Sequence, residues 1–393
     1  MRRLRNALLG AAVGLAVTVG ATPAQADMGG AAQALQDGAN KGVAAGYPGV
    51  IALMQDSTSG AYVTAGHSIK GSSVPIDPTA KYRIGSNTKL YTATVVLQLE
   101  AEGKLSLDDT VAKWLPNAVN AHGYDGRTIT IRQLLNQTSG LPDYPDVVVA
   151  RIPFVDPITL GYVYYNGDLR SNHYTPQSLV DMALTLPKKT PGEWAYANTN
   201  YVLAGMIIQA ATGHDPSVEI ANRVIAPLGL TGTSFPTSDT NLYGNFVHGW
   251  KYNPLGGIDE VSASNVELFW AAGAMISTLQ DQATFVLSLL QGRLLPPAQL
   301  TELKTTVGMD PKDPQNPDKQ YGLALSHRIL TGCQKGAWAH GGAVLGYNSR
   351  WYASEDGTKV VVALGNEEHG GDETAGVIAI RNGVQATLCQ MLS

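Results

Sequence analysis

Residues 82–93 read YRIGSNTKLYTA, where a short apolar run meets a helical pattern. Ser86 and Lys89 stand three positions apart, so a helix would place one above the other. The amine then lies beside the hydroxyl in the first turn, where the helix dipole favours negative charge. A serine hydroxyl becomes a strong nucleophile when a neighbouring base takes its proton. The stretch therefore predicts a nucleophile and its base.

A lysine can act as that base only in its uncharged form. Burial against Leu90, Ala93 and Leu97 would favour the neutral amine. The competing interpretation is a helix N-cap serine followed by a surface lysine, because Ser-x-x-Lys alone is a common spacing. Motifs elsewhere in the chain must decide between the two interpretations.

Length and composition indicate a globular protein. The chain has 393 residues, of which 44% are apolar and 15% charged. This length predicts two or three structural units, or one enzyme built from two packed lobes. The net charge is −5 and no basic cluster stands out beyond the N-terminus. Nucleic acid and anionic membranes are therefore not expected as partners.

Residues 1–26 have the pattern of a secretory signal peptide. Three arginines precede a short apolar core at residues 7–21, and an Ala-Gln-Ala cleavage site ends at Ala26. The alternative is a membrane anchor, but this core of about 15 residues is shorter than the roughly 18–20 that span a bilayer. We expect cleavage near Ala26, a mature net charge of −8, and a secreted protein without a membrane partner.

Cys333 and Cys389 are the two cysteines of the chain. In an exported protein, two cysteines indicate one disulfide. Two buried free thiols are the alternative.

Strand and helix patterns predict the architecture. Strand patterns lie at both ends of the chain, in residues 50–54, 61–64, 321–330, 337–340, 347–353 and 359–364. Helical patterns occupy residues 86–102, 203–212, 279–290 and 374–388, with another helix beginning near residue 128. This order predicts an α/β fold with one antiparallel sheet, flanking helices and a mostly helical lobe. The expected division is 27–95 and 275–393 for the α/β lobe and 96–274 for the helical lobe.

Three other features have open interpretations. Tyrosines in residues 143–176 either line a binding cleft or pack their loop onto the body. The charged, proline-rich stretch at residues 310–319 indicates a surface loop. Residues 367–373 contain Glu, His and Asp side chains, but no ligand spacing is recognisable, so a solvated loop is expected rather than a metal site.

Two further motifs accompany Ser86 and Lys89. The triplet Tyr196-Ala197-Asn198 follows a Pro-Gly turn and precedes a helix, about 110 residues after the first motif. His340-Gly341-Gly342 lies on a strand that enters a glycine-rich turn, about 140 residues further on. Each is weak alone, but their order and spacing together resemble the penicillin-recognising serine hydrolases, the β-lactamases and penicillin-binding proteins. The branch that includes secreted DD-carboxypeptidases, class C β-lactamases and D-aminopeptidases is the most similar.

The resemblance implies a β-lactamase/DD-peptidase-like fold and a role for each motif residue. Ser86 would be the nucleophile that forms an acyl-enzyme, and Lys89 and Tyr196 would share the work of the general base. Tyr196 would then pass the proton to the leaving amine. Asn198 would hydrogen-bond the amide of the acyl side chain, and His340 would hold Tyr196 in place. The mechanism needs no metal and no cofactor.

The third motif and the strand before it would bind the substrate. The backbone N–H groups of Ser86 and Ala343 would hold the oxyanion. Related carboxypeptidases read His-Thr-Gly-Thr there, and both threonines face the carboxylate of the substrate. Gly341 and Ala343 replace those threonines here, while Gly342 is the shared glycine.

An arginine also serves the carboxylate in those relatives. Counted from the third motif, it falls at the position of His327. Arg328 is adjacent, but neighbouring residues on a strand point to opposite faces. Three groups that would hold a carboxylate are therefore expected to be missing or misplaced, which favours neutral leaving groups.

These observations predict a secreted, monomeric serine peptidase or amidohydrolase that is D-stereospecific. Its substrates would be small amides, peptides or esters with D-residues, and β-lactams are a further candidate ligand. The main alternative is a D-alanyl-D-alanine carboxypeptidase in which Arg328 is reoriented or another cation is supplied. A β-lactamase, a carboxylic esterase and a β-lactam receptor without turnover follow. An inactive binding module would be expected to lose Ser86, Lys89 or Tyr196.

Overall fold

The structure is a computed structural model that describes residues 23–147, 173–252, 257–309, 319–367 and 374–393. Side chains are described from residue 29 onward. Several predictions concern segments outside the described residues. These are the signal peptide up to residue 22, most of the loop at 310–319, the residues 368–373, and the tyrosines Tyr162, Tyr164 and Tyr165.

Twelve strands lie in the described part of the chain. They are β1 (Gly49–Gln55), β2 (Gly60–Gly66), β3 (Tyr82–Arg83), β4 (Trp250–Tyr252), β5 (Ile258–Glu260), β6 (Ile276–Ser277), β7 (Val307–Gly308), β8 (Gln320–Tyr321), β9 (Ser326–Ile329), β10 (Gly336–Val344), β11 (Tyr347–Ser354) and β12 (Val360–Gly365). Eight of them form one sheet in the order β2-β1-β12-β11-β10-β9-β8-β7. All neighbours in this sheet are antiparallel. Two small sheets pair β3 with β6 and β4 with β5.

Helices fill most of the remaining described chain. They are α1 (Pro23–Ala44), α2 (Thr88–Ala101), α3 (Val111–Trp114), α4 (Ile131–Leu135), α5 (Pro176–Leu184), α6 (Asn198–Thr212), α7 (Pro216–Ile220), α8 (Ala226–Leu228), α9 (Trp270–Gly273), α10 (Leu279–Leu290), α11 (Pro297–Lys304) and α12 (Ala375–Met391). A 3-10 turn at Gly85–Asn87 leads directly into α2. None of the helices in the described ranges is both long and apolar enough to cross a membrane.

Both faces of the large sheet are covered. Alternate residues of a strand point to opposite faces. Val361 and Ala363 of β12 therefore join a core with residues of α1 and α12. Val360 and Val362 join the larger core, which includes residues of α2 and α10. This double cover explains why β11 and β12 are buried along their whole length.

The predicted fold class is confirmed, because strands before residue 67 and after residue 306 share one antiparallel sheet. The predicted strand at 321–330 is divided between β8 and β9. Helices α5 and α11 were not predicted from the sequence, although each begins with a proline, a common signal of a helix start. The division into lobes at residues 95 and 274 stays a prediction.

The disulfide between Cys333 and Cys389 is present, with the two Cα atoms 5.7 Å apart. Cys333 lies in the turn between β9 and β10, and Cys389 lies in α12. The bond therefore fixes the turn beside the third motif to the last helix of the chain.

Candidate active site

Ser86 occupies the 3-10 turn at the start of α2 and is half-buried. Gly85 precedes it with a positive φ of 52°, a conformation that glycine adopts without strain. A Cβ atom at Gly85 would lie 2.8 Å from the carbonyl oxygen of Ala343. Glycine therefore lets the serine turn lie directly against β10.

Lys89 is fully buried one turn further along α2. Its Nζ atom lies 2.9 Å from Ser86 Oγ, 2.7 Å from Asn198 Oδ1 and 2.7 Å from the carbonyl oxygen of Ala272. The aromatic ring of Tyr201 also faces it, at 5.6 Å. Burial lowers the pKa of Lys89 from 10.5 to about 7, and the charge of Asp143 acts in the opposite direction. The surface-lysine interpretation is therefore wrong.

The partners of Lys89 also orient its lone pair. A neutral amine has two N–H groups and one lone pair. The amide oxygen of Asn198 and the carbonyl oxygen of Ala272 can only accept hydrogen bonds, so they take the two N–H groups. In this neutral form the lone pair points to Ser86, whose hydroxyl can donate, whereas in the protonated form the third N–H of Lys89 donates to Ser86 Oγ. This arrangement is that of a base already directed at its nucleophile.

Tyr196 and Asn198 converge on the same two residues from the start of α6. Tyr196 Oη donates a hydrogen bond of 2.7 Å to Ser86 Oγ. Its ring lies 4.9 Å from Lys89 Nζ. The structure therefore brings together the nucleophile and both predicted bases within hydrogen-bonding distance of one serine oxygen.

Asp143 was not identified from the sequence. It follows the turn at residues 139–142, and its two carboxylate oxygens accept hydrogen bonds from Asn198 N at 2.8 Å and Asn198 Nδ2 at 3.0 Å. Burial raises the pKa of Asp143 from 3.8 to about 7, which the hydrogen bonds from Asn198 and the charge of Lys89 oppose. An acid after the Ser-Gly-Leu-Pro turn was visible, but its partner lies 55 residues away along the chain.

His340 lies in the cavity wall with a different hydrogen-bond partner from the expected one. It was predicted to hold Tyr196, whereas its Nε2 atom lies 3.3 Å from Tyr321 Oη. Burial and the positive charge of Lys89 lower the pKa of His340 to about 3, so the ring is neutral at pH 7. Tyr321, on β8, was a second residue that sequence analysis missed.

The glycines of the third motif have two different environments. Gly342 faces the serine turn so closely that a Cβ atom there would lie 2.0 Å from the carbonyl oxygen of Ile84. Gly341 and Ala343 point the other way, into the cavity. Gly342 thus sets the distance between β10 and Ser86 and has no side-chain role in substrate binding.

The expectation for His327 and Arg328 is reversed in the structure. Arg328 pairs with Ala337 of β10, so it shares the face of Gly341 and Ala343 and lines the cavity. His327 is on the opposite face, where its Nε2 atom lies 2.7 Å from Glu355. The prediction of His327 as a substrate-binding residue is therefore wrong. The position of His327 was counted back from the third motif. Such a count places residues on β10 correctly, but it does not fix the register of β9, which lies on the other side of the turn.

A cavity of about 960 Å³ connects these residues. Near Ser86, its lining includes Tyr196, Asn198 and Asp143, and aromatic side chains of Trp194 and Phe269. Along β9 to α12, its lining includes four cationic side chains, which are Lys319, Arg328, Arg350 and Arg381. No group of three or more potential metal ligands from His, Cys, Asp and Glu occurs in the part of the chain that the structure describes.

The chain is similar to known proteins in both sequence and structure. A family model described as Beta-lactamase matches residues 19–385. The crystal structure of a D-stereospecific amidohydrolase from Streptomyces sp. is similar, with 36% identity and a TM-score of 0.78. The similarity covers 88% of this chain and 97% of that one.

Curated relatives match over smaller parts of their length. Protein flp of Staphylococcus aureus is 38% identical over 162 residues, which are 41% of this chain and 29% of that protein. PbpX of Bacillus subtilis, named for penicillin binding, is 25% identical over 74% of this chain and 63% of that protein. The chain thus matches less than two thirds of the length of either.

Proposed function

Because the chain belongs to the Beta-lactamase family, a family of serine hydrolases, we propose that it hydrolyses amide, peptide or ester bonds of D-amino-acid substrates through an acyl-enzyme on Ser86. The observation that carries the mechanism is the buried Lys89, held by two carbonyl acceptors and directed at Ser86 Oγ. The preference for D-residues is supported by the similarity to the Streptomyces D-stereospecific amidohydrolase.

The protein groups used in these steps all belong to the site described above. Ser86 Oγ attacks the scissile carbonyl carbon as Lys89 takes its proton. The N–H groups of Ser86 and Ala343 bind the oxyanion. Tyr196 gives its hydroxyl proton to the leaving nitrogen, and the proton on Lys89 replaces it. A water then attacks the ester carbonyl of the acyl-enzyme, and the same proton path runs in reverse to free Ser86.

Two of the three groups that hold a substrate carboxylate in related carboxypeptidases are absent here, which favours a neutral leaving group. Gly341 and Ala343 carry no hydroxyl. A charge-assisted hydrogen bond is worth about 1.5–3 kcal/mol, so the absence of two such bonds lowers the preference for a free carboxylate. An amide nitrogen or an ester oxygen needs neither bond.

A D-alanyl-D-alanine carboxypeptidase is the second candidate, and the position of Arg328 favours it. Its guanidinium Nε atom donates a hydrogen bond of 3.2 Å to Ser326 Oγ, inside the cavity wall. A substrate carboxylate could pair with this cation without the threonine hydroxyls. The β-lactamase and esterase alternatives have no comparable support from a specific residue.

The rates of three substrate types distinguish the candidates. Hydrolysis of a D-amino-acid amide is expected to be at least about 100-fold faster than that of its L-enantiomer. It should also exceed hydrolysis of an acylated D-Ala-D-Ala peptide. Faster cleavage of the acylated peptide would establish the carboxypeptidase, and equal rates for both enantiomers would refute D-stereospecificity. Labelling with a fluorescent penicillin tests whether β-lactams acylate Ser86.

Arg328 offers a matched test of the second candidate. The variant Arg328→Gln is expected to slow cleavage of the free-carboxylate peptide by about 10-fold or more and to leave the amide rate unchanged. His327→Gln is the control, since its side chain lies on the other face of the same strand. If both variants affect the peptide equally, Arg328 does not bind the carboxylate.

We also propose that the protein acts as a secreted monomer after cleavage near Ala26. The basic and apolar N-terminal pattern supports export, and the disulfide is of the kind that persists in oxidising compartments. N-terminal sequencing of protein from the culture medium would give Asp27 as the first residue. An intact N-terminus in the cell fraction would refute export.

A further inference from the structure

The loop that carries Tyr196 lies outside the helices and strands, and a neighbouring turn holds it in place. Residues 189–195 follow the turn at residues 137–140, and three of their N–H groups donate to its carbonyl oxygens at 2.9–3.0 Å. The last of these bonds runs from the N–H of Ala195 to the carbonyl oxygen of Gln137, at 2.9 Å. The turn therefore supports the loop up to the residue that precedes Tyr196.

Gln137 also holds the residue that follows Tyr196. Its side-chain Oε1 atom accepts a hydrogen bond of 3.0 Å from the N–H of Ala197 and one of 2.5 Å from Asn200 Nδ2. A backbone N–H can only donate, so the amide of Gln137 must turn its oxygen toward Ala197. Gln137 thus accepts from both neighbours of Tyr196, from Ala195 with its main chain and from Ala197 with its side chain.

The backbone of Gln137 has a conformation that is unusual for a residue with a side chain. Its φ is 66°, in the left-handed region that glycine adopts without strain, and the residue is fully buried. A glycine here would keep the main-chain bond to Ala195 but would offer Ala197 no acceptor. Backbone strain of this kind is concentrated at functional sites. The feature that only a longer side chain supplies is the oxygen that faces Ala197.

We propose that Gln137 is a positioning residue that holds the hydroxyl of Tyr196 where it protonates the leaving nitrogen. This inference rests on the proposed function, in which Tyr196 gives its proton to that nitrogen. Tyr196 Oη lies 2.7 Å from Ser86 Oγ, so a shift of the Tyr196 backbone moves the acid away from the reacting atoms. A displacement of about 1 Å can slow a reaction about 100-fold. Gln137 is not among the described residues that line the cavity, so it acts through Tyr196.

The leaving group decides how strongly the reaction depends on the proton from Tyr196. An amide nitrogen leaves as an amine only if it gains a proton when the C–N bond breaks. A p-nitrophenolate ion is stable in neutral water, so it leaves an ester without that proton. Misplacement of Tyr196 should therefore slow amides selectively. A general loss of folded enzyme would instead slow amides and esters by the same factor.

The test compares the p-nitroanilide and the p-nitrophenyl ester of D-alanine, which share one acyl group, in wild type and Gln137→Met. Methionine has a similar length, but its sulfur is only a weak acceptor. For the anilide, kcat/KM should fall about 100-fold. The ratio of the anilide to the ester kcat/KM should fall at least about 10-fold. This ratio does not depend on the concentration of folded enzyme, so a partly unfolded variant can still be tested.

A second variant removes the acceptor without straining the backbone. Gln137→Gly adopts the positive φ freely and loses the side-chain oxygen, so it should lower the ratio as Gln137→Met does. Gln137→Glu should keep most of the wild-type ratio, because a carboxyl oxygen accepts hydrogen bonds in either protonation state. Tyr196→Phe, which lacks the acid itself, should lower the ratio at least as far as Gln137→Met.

Gln282→Met is the matched control for loss of a buried glutamine. Gln282 is also buried, and its Nε2 atom donates a hydrogen bond of 2.8 Å to Tyr91 Oη. It lies in α10 and is not among the described residues that line the cavity. Gln282→Met should change kcat/KM for the anilide and the ester by the same factor.

Two results would overturn the proposal. An equal loss for both substrates in Gln137→Met and Gln137→Gly would show that Gln137 only stabilises the fold. A ratio in Gln137→Glu as low as that in Gln137→Met would show that the side-chain acceptor does not position Tyr196. Both results would leave the proposed D-specific hydrolysis intact. Cleavage of neither substrate by the wild type would refute the proposed function itself.

Discussion

At the scale of single residues, the chemistry of Lys89 follows from its burial. Its ordinary pKa of 10.5 falls to about 7 because water is excluded around Nζ. In the neutral amine, the two carbonyl acceptors take both N–H groups, so that only the lone pair remains to accept the proton of Ser86. The surroundings of Lys89 therefore allow it to act as a base.

The pH dependence of the free enzyme should report this pKa. Protonated Lys89 cannot take the proton of Ser86, and lowering the pKa makes the neutral form dominant above about pH 7. We expect kcat/KM to fall about tenfold for each pH unit below 7. A limb near pH 10 would show that Lys89 is charged at neutral pH and contradict the assignment.

His340 should not contribute to that limb. The pKa of His340, about 3, lies far below the pH range in which Lys89 becomes protonated. The variant His340→Asn is expected to keep the pH at which kcat/KM falls, whatever its effect on the rate.

The residues of the site differ in how far sequence could predict them. Ser86 and Lys89 are neighbours in one helical turn, so their spacing carries the information. Tyr196 belongs to a Tyr-x-Asn motif that was recognised by its order and distance after the first motif. Asp143 and Tyr321 depend on contacts between distant segments, which no local pattern records.

At the scale of elements, the site depends on how closely β10 lies to the turn before α2. The main chain at Ile84 leaves no space for a side chain at Gly342. The N–H of Ala343, the next residue, lies on the same short stretch. The strand and the turn must therefore meet without side chains between them for an oxyanion site to form.

Gly342→Ala should separate these two elements. Its Cβ atom would lie 2.0 Å from the carbonyl oxygen of Ile84, a main-chain atom that cannot rotate away. Overpacking of this kind costs about 1–3 kcal/mol, and the activity should fall because the oxyanion site opens. Urea unfolding and kcat measure the two effects.

Gly341→Ala is the control on the same strand. A Cβ atom there meets its nearest neighbour, the carbonyl oxygen of Ser349, at 3.7 Å, which is an ordinary contact. Its unfolding free energy should match that of the wild type. Equal destabilisation by both variants would refute the close approach as the cause.

Strand β9 shows where pattern reasoning fails at this scale. Alternation correctly states that His327 and Arg328 face opposite sides. Which of them faces the cavity depends on the pairing of Arg328 with Ala337. The length of the β9–β10 turn sets this pairing, and the sequence alone does not show where that turn begins and ends.

At the scale of the whole molecule, the sheet joins the two ends of the chain. β1 pairs with β12, and helices α1 and α12 cover the same face. Strand patterns at both ends of the chain, with helical patterns between them, predicted this arrangement. The disulfide adds a covalent tie between α12 and the β9–β10 turn.

Removal of the disulfide should reduce stability more than activity. Cys333 and Cys389 are separated by 56 positions, and closing a loop of this size is worth about 4 kcal/mol in the chain-entropy model. The double variant Cys333→Ser/Cys389→Ser should lose about 2–4 kcal/mol of unfolding free energy. Neither cysteine lines the cavity, so kcat at 25 °C should be retained. An unchanged midpoint in urea would contradict the predicted contribution.

The measurement that tests the central claim most directly is kcat/KM of Ser86→Ala for a D-amino-acid amide, with its fold checked by circular dichroism. Removing the attacking oxygen leaves Lys89 and Tyr196 without a nucleophile to activate. We predict a loss of at least about 10³-fold, as expected for an acyl-enzyme mechanism. A folded Ser86→Ala protein that keeps more than one tenth of the wild-type kcat/KM would contradict it.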